Sequence, residues 1–377
     1  MRYTWDFKKI NDNYNETYKM LNQAKDEKEK EFYKKELLNL KFLLSECEKR
    51  KNKLEFTTLD GKDDVPLFYE EYIPLIKPFY EQENVSTYID LLTGCYEHIY
   101  GIDTSYKHLN KQIAIDNDTY VGITLDYIKK SFPDYTYKIV TDIFNNNPNF
   151  LNIRYSKKED EFESSTYIGN RVGITRHNTL NDLRILPHEL MHYMYNSPKN
   201  IKDSDSKFIL ETEGILGDLL FAEYYKKNYK RIFPDYEECK DFFKTIVLNN
   251  LLVCAESFIV KNELLSSVEN EFFNQDIFNE RMTYYDIVDT ENDYYSTVEY
   301  LSDNPSIDLK YGISTLVALD LFYIAKTDID KALFLLRRLK NEYEMDNILP
   351  HLQRNKITFF EDNYKNLKRY TKNMTNI

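Results

Sequence analysis

Residues 188–192 read His-Glu-Leu-Met-His. On a helix, positions four apart share a face, so His188 and His192 can hold one metal ion while Glu189 points alongside. Neutral imidazoles suit Zn²⁺, and a catalytic zinc keeps one position open for water. The Glu189 carboxylate can then take the proton from that water as it attacks a carbonyl. In a chain with only six histidines, the pattern arises by chance on the order of one time in a hundred. The bland alternative is two surface histidines flanking a helical glutamate.

Such a site needs a third ligand. Phe208 through Tyr225 is an apolar, helix-patterned stretch that carries several acids. An acid on a core-like helix is costly unless it is paired or bound to metal. Glu211 and Glu213 both qualify, and Glu211 sits among Ile209, Leu210, Ile215 and Leu219. Asp218 follows Glu211 by two helical turns on the same face, where it can orient a ligand histidine. Pro187 lacks an N–H, so it implies a helix start or kink immediately before His188.

The elements that must position these groups are mostly helices. The convincing strand region is Thr166–Thr175, read as one strand with Ile168, Val172 and Ile174 on one face and Gly169 and Gly173 on the other. Glycine within a strand often marks close approach by another backbone. Zinc-bearing helices are expected near 183–197 and 206–226. Residues 8–56 are dense in Lys and Glu with apolar positions at helical spacing, which predicts a hairpin of two long helices turning near Lys25–Lys30. The loop-like stretch Thr57–Pro66 is the best boundary. The organisation expected is therefore an N-terminal helical hairpin over 1–60 and a helical catalytic region over 61–377. The fold class is mainly α, a multi-helix zincin-like architecture with a small β-sheet beside the active-site helix.

Composition narrows the function classes. Fifty Lys and Arg against 63 Asp and Glu leave a net charge of −13, which argues against a general nucleic-acid binder. No uncharged apolar run reaches the ~18 residues of a membrane span; the best stretch, Ile313–Ala325, is short and contains Asp320. Four scattered cysteines without a CxxC pair read as reduced, mostly buried thiols. The first residues lack the apolar run of a secretory leader. These features predict a soluble, cytoplasmic protein with no nucleic-acid or membrane partner, and leave the oligomeric state open. Thirty-three tyrosines imply many buried hydroxyls that each need a partner.

Beyond the five-residue motif, the chain resembles the oligoendopeptidase F and thimet oligopeptidase family of zinc peptidases. Asp182-Leu-Arg-Ile-Leu-Pro-His-Glu-Leu is similar to that family's lead-in to the zinc helix. Phe208 through Tyr224 resembles its glutamate helix, with Glu211 in the ligand position. Phe150-Leu-Asn-Ile-Arg-Tyr and Ser165-Thr-Tyr-Ile-Gly resemble the segment around its active-site strand. Tyr311-Gly-Ile-Ser echoes a later helix. The likeness spans roughly Tyr120–Lys326, and the chain is short relative to the family, mainly N-terminal to the strand.

The resemblance implies one Zn²⁺ held by His188, His192 and Glu211, with Glu189 activating water and a peptide as substrate. It carries Tyr300 and Tyr311 over as oxyanion donors, although the family's histidine in that stretch is missing here. Gly169 and Gly173 would let an extended substrate pair along the strand, and His177 would contact it. Met191 stands where the family usually has glycine. The His192-to-Glu211 interval is shorter than the family's and equals that of zinc aminopeptidases. Two alternatives follow: a metal-retaining peptide-binding protein with little cleavage activity, or an aminopeptidase-like exopeptidase.

Overall fold

In the computed structural model, residues 7–26, 82–102, 111–156, 166–168, 171–195, 208–234, 242–269, 305–341 and 364–372 are described, with isolated residues between 29 and 44 and Leu352. The chain divides into two compact units, Met1–Phe68 and Tyr69–Ile377.

In the first unit, α1 spans Phe7–Gln23. Its end is followed by a cap: the Asp26 carboxylate accepts from the Glu29 N–H at 2.8 Å and the Glu29 carboxylate accepts from the Lys25 N–H at 3.1 Å. Each bond satisfies one backbone donor at this turn, with Glu29 reaching back to Lys25, one residue before Asp26. Residues 29, 30, 32–34, 37, 40 and 44 are helical too; the other residues of the expected hairpin lie outside the described ones.

The second unit is mostly helical with one small sheet. Its elements run α2 (Glu83–Ile99), α3 (Asn117–Ser131), α4 (Asp134–Asn146), β1 (Leu151–Tyr155), β2 (Thr166–Ile168), β3 (Arg171–Arg176), α5 (Asp182–Tyr195), α6 (Thr212–Ile232), α7 (Phe242–Glu269), α8 (Pro305–Ala325), α9 (Ile329–Asn341) and α10 (Lys365–Lys372). Local chemistry sets several boundaries. Asp116 caps α3 by accepting from the Thr119 N–H, and Lys129 and Lys130 face the negative end of the helix dipole in its last turn. Pro133 stands immediately before α4, whose first residue is Asp134.

The strand expected over Thr166–Thr175 is two strands. β2 and β3 pair antiparallel with Ile168 opposite Arg171 and Tyr167 opposite Val172. Only Gly169-Asn170 separates them, and Gly-Asn between strands is a two-residue hairpin signal that the single-strand reading passed over. The sheet order is β1-β3-β2, with β1 parallel to β3 from Leu151↔Val172 to Tyr155↔Arg176. Gly173 therefore sits in the central strand, between Asn152 and Thr166. A substrate cannot add a strand there, because both sides of the backbone already have partners.

α6 lies at the centre of the unit, packed by α5, α7 and α8. Both of its faces are buried along most of its length, which explains an apolar pattern with no clean polar stripe. The buried Tyr127 donates to the Gly217 carbonyl at 3.0 Å while its ring packs edge-on against Phe132 and Phe221. Two of the cysteines, Cys95 and Cys254, are buried free thiols. No described helix is long and apolar enough to cross a membrane.

Candidate metal centre

Helix α5 carries His188, Glu189 and His192, and its construction begins at Asp182. The fully buried Asp182 carboxylate accepts from the His177 N–H at 3.1 Å and the Thr179 hydroxyl at 3.2 Å, with Arg176 at 3.6 Å. This ties the end of β3 to the start of α5. Pro187 does not start the helix, which runs through it from Asp182 to Tyr195. The Tyr120 hydroxyl donates to the Asp182 carbonyl at 2.8 Å and accepts from the Leu186 N–H at 3.2 Å, so it bridges the first turn of the helix just before the proline.

Glu211 is not inside a helix. α6 starts at Thr212, and Glu211 is its N-cap residue, with φ −94° and ψ 0°. Its backbone N–H donates to the Ser314 hydroxyl on α8 at 3.1 Å, and that hydroxyl donates to the Phe208 carbonyl at 3.0 Å. The turn that presents Glu211 is thus fixed from outside, by α8.

Three side-chain atoms converge. His188 Nε2 and His192 Nε2 are 3.0 Å apart, and Glu211 Oε2 lies 3.7 Å from the first and 3.3 Å from the second. Behind them, His188 Nδ1 bonds Asp218 Oδ2 at 3.0 Å and His192 Nδ1 bonds Glu213 Oε1 at 3.1 Å. Glu213, the other acid that qualified as third ligand in the sequence, meets the far side of a ring. Side-chain exposure separates the roles: His188, His192 and Glu211 keep 14–16%, whereas Asp218 keeps 3% and Glu213 1%. Glu189, 5% exposed, offers a carboxylate oxygen within 4.8 Å of both imidazoles.

Two glycines on α6 make this approach feasible. A Cβ on Gly214 would run into the His188 ring and come within 2.7 Å of His192 Nε2. A Cβ on Gly217 would lie 2.7 Å from Met191 Cγ. The bulk of Met191 on the zinc-motif helix is therefore accommodated by a glycine on the helix facing it. Glycine inside a helix costs ~1 kcal/mol relative to alanine, so Glu-Gly-x-x-Gly in the sequence was a legible sign of close packing.

Lys310 on α8 was not anticipated. Its Nζ donates to Glu211 Oε1 at 2.7 Å and lies 4.8 Å from the centre of the Tyr311 ring. Tyr311 is 36% exposed and, with His188, Arg184, Asn250 and Asp218, lines a cavity of about 190 Å³. Arg184 also reaches Asp218 Oδ2 at 3.4 Å. His177 follows β3, half-buried, and is held through its backbone by Asp182. Tyr300 and Gly169 lie outside the described residues.

Electrostatics follow from these contacts. Burial opposes charge on His188, but Asp218 and Glu211 outweigh it and lift its pKa to about 10. His192 moves upward as well, burial being outweighed by Glu211 and Glu213. Burial alone would raise the Glu211 pKa; the two imidazoles and Lys310 hold it far below the ordinary carboxylate range. Tyr311 is raised by burial and by the negative charges of Glu211 and Glu189.

The donor set fits a zinc ion. Two imidazole nitrogens and one carboxylate oxygen are typical ligands, and the three separations bracket the ~3.3 Å edge of a tetrahedron with ligands ~2.0–2.1 Å from its centre.

No protein-family model matches the chain. No curated protein matches it. Among solved structures, it is similar to a "putative oligoendopeptidase F from Bacillus anthracis str. Ames", at 15% identity and TM-score 0.45, over 96% of this chain and 69% of that one. At that identity and superposition the likeness carries no chemistry, which is read from the site's own atoms.

Proposed function

We propose that the chain is a zinc-dependent peptidase acting on short or unfolded peptides. The observation that carries this reading is the convergence of His188 Nε2, His192 Nε2 and Glu211 Oε2, with a carboxylate on the Nδ1 of each imidazole. His188, His192 and Glu211 would hold one ion. When bound there, zinc supplies Lewis acidity to the scissile carbonyl and lowers the pKa of a water.

The protein's groups do the rest. Asp218 and Glu213 accept from the Nδ1–H groups, fixing the tautomer that presents Nε2 lone pairs and keeping the rings oriented. Glu189 takes the proton of the attacking water and returns it to the leaving amine. The Tyr311 hydroxyl, on the rim of the adjoining cavity, donates to the developing oxyanion, a contact commonly worth ~3 kcal/mol; Tyr300 is the other candidate. With β3 paired on both sides, substrate recognition falls to side-chain pockets and to His177 rather than to strand addition at Gly173.

Zinc content measured beside hydrolysis of a mixed peptide library tests the reading. One zinc per chain with cleavage is expected. Zinc without cleavage would instead favour the peptide-binding protein, and neither would remove both. Blocking substrate amino termini separates the exopeptidase alternative, since only an aminopeptidase loses activity.

A further inference from the structure

Glu211 stands at the boundary of α6: its carbonyl accepts the Ile215 N–H at 3.0 Å, while its own N–H and its carboxylate are gripped from outside that helix, by two residues of α8. Ser314 accepts the Glu211 backbone N–H at 3.1 Å, and Lys310, one helical turn earlier on the same face, donates to its carboxylate at 2.7 Å. The oxygens are thereby divided. Oε1 is engaged by Lys310, while Oε2 is the atom 3.3 and 3.7 Å from the two imidazole nitrogens.

From this geometry we propose that Lys310 is a positioning residue, which holds Glu211 to one-oxygen coordination and keeps the site four-coordinate. The inference rests on the zinc reading above. A free carboxylate beside a divalent ion can turn to offer both oxygens, which raises the coordination number and takes up the position a substrate or water needs. An ammonium group on Oε1 prevents that turn. It also adds one positive charge to a site that otherwise gathers four carboxylates, those of Glu189, Glu211, Glu213 and Asp218, around two imidazoles. Groups that hold a metal ligand from behind typically change metal affinity 10–100-fold when removed.

The test uses Co²⁺ as the probe, because four-coordinate Co²⁺ absorbs visible light far more strongly than five- or six-coordinate Co²⁺. Full-length wild type, Lys310→Met and Lys310→Arg are titrated with Co²⁺, and zinc affinity is measured by competition with a chromophoric chelator. Wild type is expected to bind one ion with an intense four-coordinate spectrum. Lys310→Met should bind zinc 10–100-fold more weakly and show a several-fold weaker visible band, and Lys310→Arg should restore both. Thermal unfolding of the metal-free variants establishes that they fold. If Lys310→Met is unfolded, Lys310→Gln, which keeps the length without the charge, takes its place with the same expected direction. A variant lacking the charge with wild-type affinity and spectrum would overturn the inference while leaving the zinc site standing. Failure of wild type to bind either ion would instead sink the zinc reading, and this inference with it.

Discussion

Around His188 and His192 the carboxylates of Asp218, Glu213 and Glu211 divide by the ring nitrogen they face: two meet Nδ1 and one meets the Nε2 pair. That division assigns each a different sensitivity. Asp218→Asn should leave the fold intact and weaken zinc binding 10–100-fold, read by chelator competition; unchanged affinity would show that Asp218 does not orient His188. Protonation gives a second handle. Without metal, His188 keeps its proton up to about pH 10, so zinc must displace it at neutral pH. Binding should release at least one proton, measurable by calorimetry in buffers of different ionisation enthalpy. Affinity should then climb with pH, up to about tenfold per unit for each proton displaced, and level off only as pH passes through His188's raised value. Binding without proton release would contradict the charge arrangement described. The His-Glu-x-x-His residues were legible because their geometry is local: four residues on a helix decide it. The partition between Glu211 and Glu213 was not, because it depends on where a helix starts. Lys310 and Ser314 were invisible, since they reach Glu211 across about a hundred residues of chain.

Tyr120 bridges two backbone groups in the first turn of α5, and α6 approaches that helix through Gly214 and Gly217. Tyr120→Phe removes the hydroxyl that serves both the Asp182 carbonyl and the Leu186 N–H. Two buried backbone groups then each lose a hydrogen bond, at a cost of ~1–3 kcal/mol, read as a lowered denaturant midpoint; no loss would mean that the bridge does not contribute to stability. Gly214→Ala should be more damaging to the site than to the fold. The added methyl meets the edges of both imidazoles, so zinc affinity should fall steeply even in protein that still unfolds cooperatively. At this scale the sequence spoke unevenly. The helices expected near 183–197 and 206–226 are α5 and α6, and the Glu-Gly-x-x-Gly spacing held the information about their close approach. The β2–β3 hairpin was missed because Ile168, Val172 and Ile174 keep the same parity on either side of Gly169-Asn170, and a period of two cannot register a reversal of direction.

For the whole second unit, α6 is both the centre of the core and the element behind the metal site, so ligand binding and stability are linked. An ion that binds only the native state stabilises it by about 2.7 kcal/mol when free zinc is at 100 times its Kd. Chelation should therefore lower the melting temperature and zinc should restore it, whereas Asp218→Asn should show a smaller zinc-dependent shift. The mainly helical class with a small sheet followed from composition and period. The boundary expected from the loop-like stretch Thr57–Pro66 lies beside the division between Phe68 and Tyr69. Peptide hydrolysis by zinc and Glu189 together is the proposed activity, and the comparison of wild type with Glu189→Gln, matched for zinc content, on a mixed peptide library measures it. Equal zinc with at least a hundredfold loss of turnover in the variant is the predicted result. Turnover equal to wild type would contradict it.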